Sequence, residues 1–146
     1  MDKPIEKGIS TYLIKNKLAT LSTCADGQPH SAICFYAFDP EKSMLLIKSS
    51  RETMHVQQGL KNPVLSGTIL PNIYSIGTLK GIQFTACFQE TDQANDKAIR
   101  EHYHRKFPMA MAIGGEVWML KLLTIKMTDN TLGFGKKLYW SSDLIK

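Results

Sequence analysis

Apolar residues recur along this chain with two different periods, and the changes of period divide it into elements. Over residues 2–17, Ile5, Ile9, Leu13 and Ile14 fall at helical spacing and predict a helix with one apolar face. From Leu18 to Cys24 small polar and apolar residues alternate, as in a half-buried strand. Asp26-Gly27 predicts a tight hairpin turn, because glycine takes up positive φ without steric cost. The chain returns from Pro29 to Phe38 through aromatic and β-branched residues that favour a second strand. Asp39-Pro40 marks the next turn, and Ser43 to Lys48 is a third, largely apolar strand.

Beyond Lys48 the period changes. Ser49 to His55 leads into a short helix ending near Gly59-Leu60, and Pro63 prevents its continuation. Val64 to Leu70 reads as a fourth strand, stopped by Pro71-Asn72. A long strand follows from Thr78 to Thr91, with Gly81 as the expected bulge or kink. Asp92 to Lys106 is the next helix, with Asp92 or Thr91 as its N-cap, and Phe107-Pro108 ends it. Glu116 to Met127 is the last long strand, and from Thr128-Asp129-Asn130 the tail is expected to be irregular and basic. Hairpin-length connections imply antiparallel pairing. About six such strands in one domain over residues 1–146 predict a mainly β fold, a β-barrel with three helices, since closure removes exposed edges.

Composition narrows the class. A hydrophobic content of 43% supplies one core. No apolar run approaches the roughly 18 residues that span a bilayer. The opening Met-Asp-Lys-Pro-Ile-Glu-Lys has no apolar stretch of the kind a signal peptide needs, so a cytoplasmic protein is expected, with no membrane partner. Cys24, Cys34 and Cys87 are odd in number and unpaired in spacing, which predicts reduced structural thiols. The net charge of +5 is scattered, densest at Lys15/Lys17, Arg105/Lys106 and Lys136/Lys137. It forms no stripe with aromatic interleaving, so a nucleic-acid partner is not expected. His102 and His104 stand two apart on a helix and do not share a face, which makes them a poor metal pair. The chain has neither a GxGxxG after its first strand nor a P-loop.

Candidate chemistry concentrates between Lys48 and His55. Three hydroxyls (Ser49, Ser50, Thr53), one guanidinium (Arg51) and one imidazole (His55) stand at a strand end that opens a helix. A helix N-terminus has unsatisfied N–H groups and partial positive charge, which suits phosphate. Ser50 and Thr53 equally suit plain helix capping. In the second strand, Ala32, Cys34, Tyr36 and Phe38 share one face, and Ile33, Phe35 and Ala37 the other. Both are apolar. One can fill a barrel while the other packs on a subunit or a flat aromatic ligand, or both can be ordinary packing.

These segments resemble the pyridoxamine 5′-phosphate oxidase-like FMN-binding split-barrel family over essentially the whole chain. The similarity runs through LATLSTCADGQPHSAICFYAFDPEKSMLLIKSS (18–50), KNPVLSGTI (61–69), LKGIQFTACFQE (79–90) and HYHRKFPMA (102–110). The ending VWMLKLLTIKMTDNTLGFGKKLYW (117–140) resembles the small YhbP-type branch. The resemblance implies a split barrel, a homodimer and FMN held between subunits. It implies phosphate contacts from Ser49, Ser50, Arg51, Thr53 and His55, a ring contact along Ala32, Ile33, Cys34 and Phe35, and a contribution from Lys136 or Trp140. Many members carry Arg and Lys where this chain has Met54 and His55, so positive charge is reduced here. The Arg-x-His substrate motif of true pyridoxamine 5′-phosphate oxidases is missing from GFGKKLYWSSDLIK, so pyridoxal phosphate synthesis is not expected. The expected function is that of an FMN flavoprotein, an oxidoreductase using a small-molecule electron donor or acceptor. The alternative is a non-enzymatic module for flavin, F420 or haem.

Overall fold

The computed structural model describes residues 2–73 and 75–145. Its helices are α1 (Lys7–Lys15), α2 (Met54–Lys61) and α3 (Gln93–Lys106). Its strands are β1 (Leu18–Ala25), β2 (Gln28–Asp39), β3 (Met44–Ser49), β4 (Val64–Ile69), β5 (Lys80–Gln89), β6 (Glu116–Asp129) and β7 (Lys137–Ser141). Six strands in the order β3-β2-β1-β4-β5-β6 close into an antiparallel barrel through the pairing of β3 with β6. The hairpin between β1 and β2 turns through Asp26 and Gly27, both at positive φ (53° and 74°), as the sequence predicts.

Two strands change neighbours along their length. One edge of β6 follows β5; the other pairs with β3 up to Lys121 and with β7 from Thr124. The register against β5 shifts where the neighbour changes: Thr124 faces Thr85 while Leu122 faces Ala86, leaving Leu123 over. An extra residue of this kind bends a strand and increases its twist. The expected irregularity at Gly81 is not seen, because Gly81 pairs in register with Thr128. Strand β2 pairs with β1 over Gln28–Phe35 but with β3 only over Tyr36–Asp39. Among the described residues no strand covers the other edge of residues 28–35, and the barrel is split there.

The barrel is filled by residues including Leu21, Tyr36, Leu45, Ile47, Ile69, Ile82, Trp118 and Leu120, with Ile9, Tyr12 and Leu13 of α1 packed onto them. Each large aliphatic side chain removed from water in this way contributes about 1.5–3 kcal/mol. A smaller second core joins Ile99 and Tyr103 of α3 to Ala37, Met44, Leu46 and Val117 on the outside of the barrel. Lys106 at the end of α3 donates to the Asn16 carbonyl beyond α1 (2.5 Å) and lies 4.6 Å from the Tyr36 ring centroid. Its burial pushes the amine down to about 8.

The two chain ends differ from the sequence expectation. The first helix starts at Lys7 rather than at residue 2, and Tyr12 takes the buried position expected of Ile14, which is exposed. The expected irregular tail contains β7, paired with β6 over Lys137–Ser141. The two ends are joined to each other. Asp2 accepts from Lys121 Nζ (2.5 Å), Ser142 Oγ (2.7 Å) and the Asp143 N–H (3.2 Å), and Trp140 Nε1 donates to the Lys3 carbonyl (2.8 Å). These bonds hold residues 2–3 extended against the β6–β7 pair, where a helix cannot reach.

The hydrogen bond from Lys121, followed by that from Ser142, lowers the Asp2 carboxyl from 3.8 to about 2. A depressed acid contributes stability above its unfolded pKa and loses it as pH falls through the folded one. Asp2→Asn is expected to lower unfolding free energy by about 1 kcal/mol at pH 7. The difference from the parent should shrink between pH 4 and pH 2 (about those values) as the parent's own carboxylate protonates. Urea unfolding curves at pH 7, 4 and 2.5 (about those values) check this; a constant difference would show that the charge is not what matters.

Candidate functional site

Strand β3 carries alternate side chains to opposite sides. Lys48 points toward α3, where its Nζ lies 3.1 Å from His104 Nε2 and donates to the Ala110 carbonyl (2.6 Å). Ser49 points the other way. Its Oγ lies 2.7 Å from His55 Nε2 in the first turn of α2, and the same nitrogen is 3.8 Å from Cys34 Sγ and 3.5 Å from Thr53 Oγ1. Burial, with His30 adding to it, lowers the His55 pKa from its ordinary value and favours the neutral imidazole. Burial raises the Cys34 thiol in turn. Cys34, Ser49 and His55 thus form a neutral hydrogen-bonding cluster; a thiolate nucleophile is not favoured in it.

The turn from Ser50 to Thr53 faces outward. Thr53 precedes α2, but its hydroxyl donates to the Ser50 carbonyl (2.8 Å) and makes no capping bond to the helix. Ser50 Oγ donates to Glu52. Arg51 is half-exposed and carries two carboxylates: Nε and Nη2 reach Glu116 (3.2 and 3.3 Å), and Nη1 reaches Glu90 (3.0 Å). Its guanidinium carbon lies 4.9 Å from the centroid of the Trp118 ring, whose Nε1 donates to the Ser49 carbonyl (3.0 Å).

Beside this turn runs the uncovered edge of β2. The Tyr36 N–H donates to the Lys17 carbonyl, so Tyr36, Cys34 and Ala32 direct their main-chain groups toward β1. By alternation Ile33 and Phe35 direct theirs to the open edge. These two residues are 73% and 53% exposed. Phe35 meets Phe107 at 5.4 Å between ring centroids. From Phe107 the chain passes Ala110, held by Lys48, and reaches Gly115, whose φ of +120° brings its backbone against Ser49. Met109, Met111 and Ile113 of this segment are exposed. The open edge of β2 and residues 107–115 therefore flank the Ser49–Thr53 turn.

Lys136 and Trp140 stand elsewhere. Trp140 pairs with Ile125 of β6, whereas Ser49 pairs with Glu116. Nine steps along a strand separate the two places by roughly 30 Å. The Trp140 ring is 6% exposed, while its neighbour Tyr139 is exposed. A groove of about 950 Å³ crosses the outer face there, lined by Ser66, Thr85, Thr124, Lys126 and Tyr139 among others. It is larger than the hollow of about 270 Å³ beside Arg51, and it holds none of the residues of the Ser49–Thr53 turn.

No described family model matches the chain. A UPF0306 protein of Yersinia enterocolitica is 38% identical over 133 residues, covering 91% of this chain and 90% of that protein. The chain belongs to the UPF0306 family. Solved structures show its fold at lower identity. A haem-binding protein of Mycobacterium smegmatis superposes with a TM-score of 0.77 at 14% identity, over 95% of this chain and 59% of its own. An FAD-binding protein of Mesorhizobium loti gives 0.70 at 14%, over 87% and 96%. A candidate pyridoxamine 5′-phosphate oxidase of Listeria innocua gives 0.61 at 17%, over 82% and 94%. This UPF0306 protein thus has the pyridoxamine 5′-phosphate oxidase-like split-barrel fold.

In this UPF0306 chain the structure brings Cys34, Ser49, Thr53 and His55 together, sets Ser50 and Arg51 on the outer side of the turn, and leaves Ile33 and Phe35 exposed beside the open edge of β2. Ala32 is half-buried and keeps its main-chain groups for β1. Lys136 and Trp140 are not joined to the turn within one chain. Sequence reasoning missed Glu90, Glu116 and Trp118, because nothing local marks partners of Arg51 that lie 39 and 65 residues away. His102 and His104 are engaged by the Phe38 carbonyl and Lys48, and no group of three metal-ligating side chains occurs among the described residues.

Cys24 is exposed and Cys34 buried. Iodoacetamide is expected to alkylate Cys24 in the native protein at least about tenfold faster than Cys34. Peptide mass spectrometry checks this; equal rates in folded protein would mean that the Cys34–His55 cluster is open to solvent.

Proposed function

We propose that this UPF0306 protein binds FMN in the cleft between the open edge of β2 and the Ser49–Thr53 turn, as a homodimer, and acts as an oxidoreductase with a small-molecule electron donor. The observation that carries this reading is the juxtaposition of a hydroxyl-rich turn opening a helix with an apolar strand whose edge is unpaired. A phosphate would take the hydroxyls of Ser49, Ser50 and Thr53, the Arg51 guanidinium and the first-turn N–H groups of α2. A flat apolar ring would lie on Ile33 and Phe35 and meet their main-chain groups at the edge. His55 would act through Ser49, orienting its hydroxyl, since its own Nε2 is already engaged. When bound, the flavin supplies hydride and electron transfer, and the protein supplies binding, orientation and electrostatics.

Two features support the homodimer. The edge of β2 over residues 28–35 is unpaired within one chain, and Lys136 and the exposed Tyr139 lie too far from the turn to serve it there. A second copy could bring that region to it. The fold shared with the haem-binding protein of Mycobacterium smegmatis favours a second reading, a cofactor carrier without turnover.

Purified protein mixed with excess FMN and desalted is expected to keep flavin absorbance, one FMN per chain, at the elution volume of a dimer. A colourless protein overturns the flavin site. Retention of haem in the parallel experiment, with no retention of FMN, would favour the carrier.

A further inference from the structure

We infer that Glu90 and Glu116 set the anion affinity of this site by competing with a ligand's phosphate for the Arg51 guanidinium. The inference rests on the reading that a phosphate binds at the Ser49–Thr53 turn.

A guanidinium binds phosphate best through two parallel N–H groups. Arg51 offers two such forks, and both are occupied in part. Glu116 holds the Nε–Nη2 fork (3.2 and 3.3 Å). In the Nη1–Nη2 fork, Nη1 donates to Glu90 (3.0 Å). One face of the group lies over Trp118. A phosphate cannot take either fork without displacing a carboxylate or lying beside one. The displacement is feasible because all three side chains are about half-exposed, and ion pairs in such positions are weakly held. Glu90 directly follows β5, and Glu116 opens β6 directly after residues 107–115. Their release would leave the main-chain pairing of Ser49 with Glu116 in place.

Binding of FMN and of riboflavin, which lacks the phosphate, is to be measured by titration calorimetry for the parent and for the Glu90→Gln/Glu116→Gln double variant. Glutamine keeps the size and an acceptor oxygen but removes the charge. The double variant is expected to bind FMN about tenfold more tightly, with riboflavin affinity unchanged. The gain is expected to vanish when Arg51→Ala is added. FMN binding that appears only in the double variant supports the inference equally. If the parent binds FMN and the double variant shows no gain, or an equal gain for riboflavin, the competition is overturned while the phosphate site stands. A gain that survives Arg51→Ala overturns it too, because general repulsion would then be the cause. If neither protein binds FMN, the phosphate reading itself falls and the competition with it.

Discussion

A β-strand has two edges, and β6 must serve three neighbours. The molecule solves this at Leu123, where one surplus residue lets the strand leave β3 and receive β7 while β5 stays on its other side. Closure of the barrel and attachment of the chain's last strand both depend on that exchange. Because β3 ends its pairing at Ser49↔Glu116, the turn into α2 is fixed at the mouth of the barrel. Because β2 leaves β3 below Tyr36, an unpaired edge is left beside that turn.

The chemistry of the site follows from which side of β3 each residue occupies. Ser49 faces inward beside His55 and Cys34, where burial favours the uncharged forms of the imidazole and the thiol. Arg51 faces outward, among carboxylates brought by β6 and by the chain after β5. The polar groups that stand side by side in the sequence are therefore in different environments: Ser49 and Thr53 are half-buried around His55, whereas Ser50 and Arg51 are exposed.

Much of the fold was legible because its signals are local. Asp26-Gly27 specifies its own turn, the alternation through β2 specifies its own faces, and Pro63 ends its own helix. The features that escaped depend on residues far apart. Residues 2–6 keep the helical phase through Ile5, yet Asp2 is drawn away by Lys121, 119 residues along the chain. KLYWS reads as tail after the glycines at 133 and 135, yet the vacated edge of β6 recruits it as a strand. Within the site, the residue types at 49–55 were evident from the sequence, whereas the burial of His55 against Cys34 and the glutamates on Arg51 are products of closure.

The uncovered edge of β2 bears on the colloidal behaviour of the protein. An unpaired strand edge flanked by exposed apolar side chains is a template for edge-to-edge association. Pro29, at the start of the edge and facing it in register, offers no N–H and guards one end. Ile33 and Phe35 have no such guard. By the same physics, covering that edge would remove the template for association.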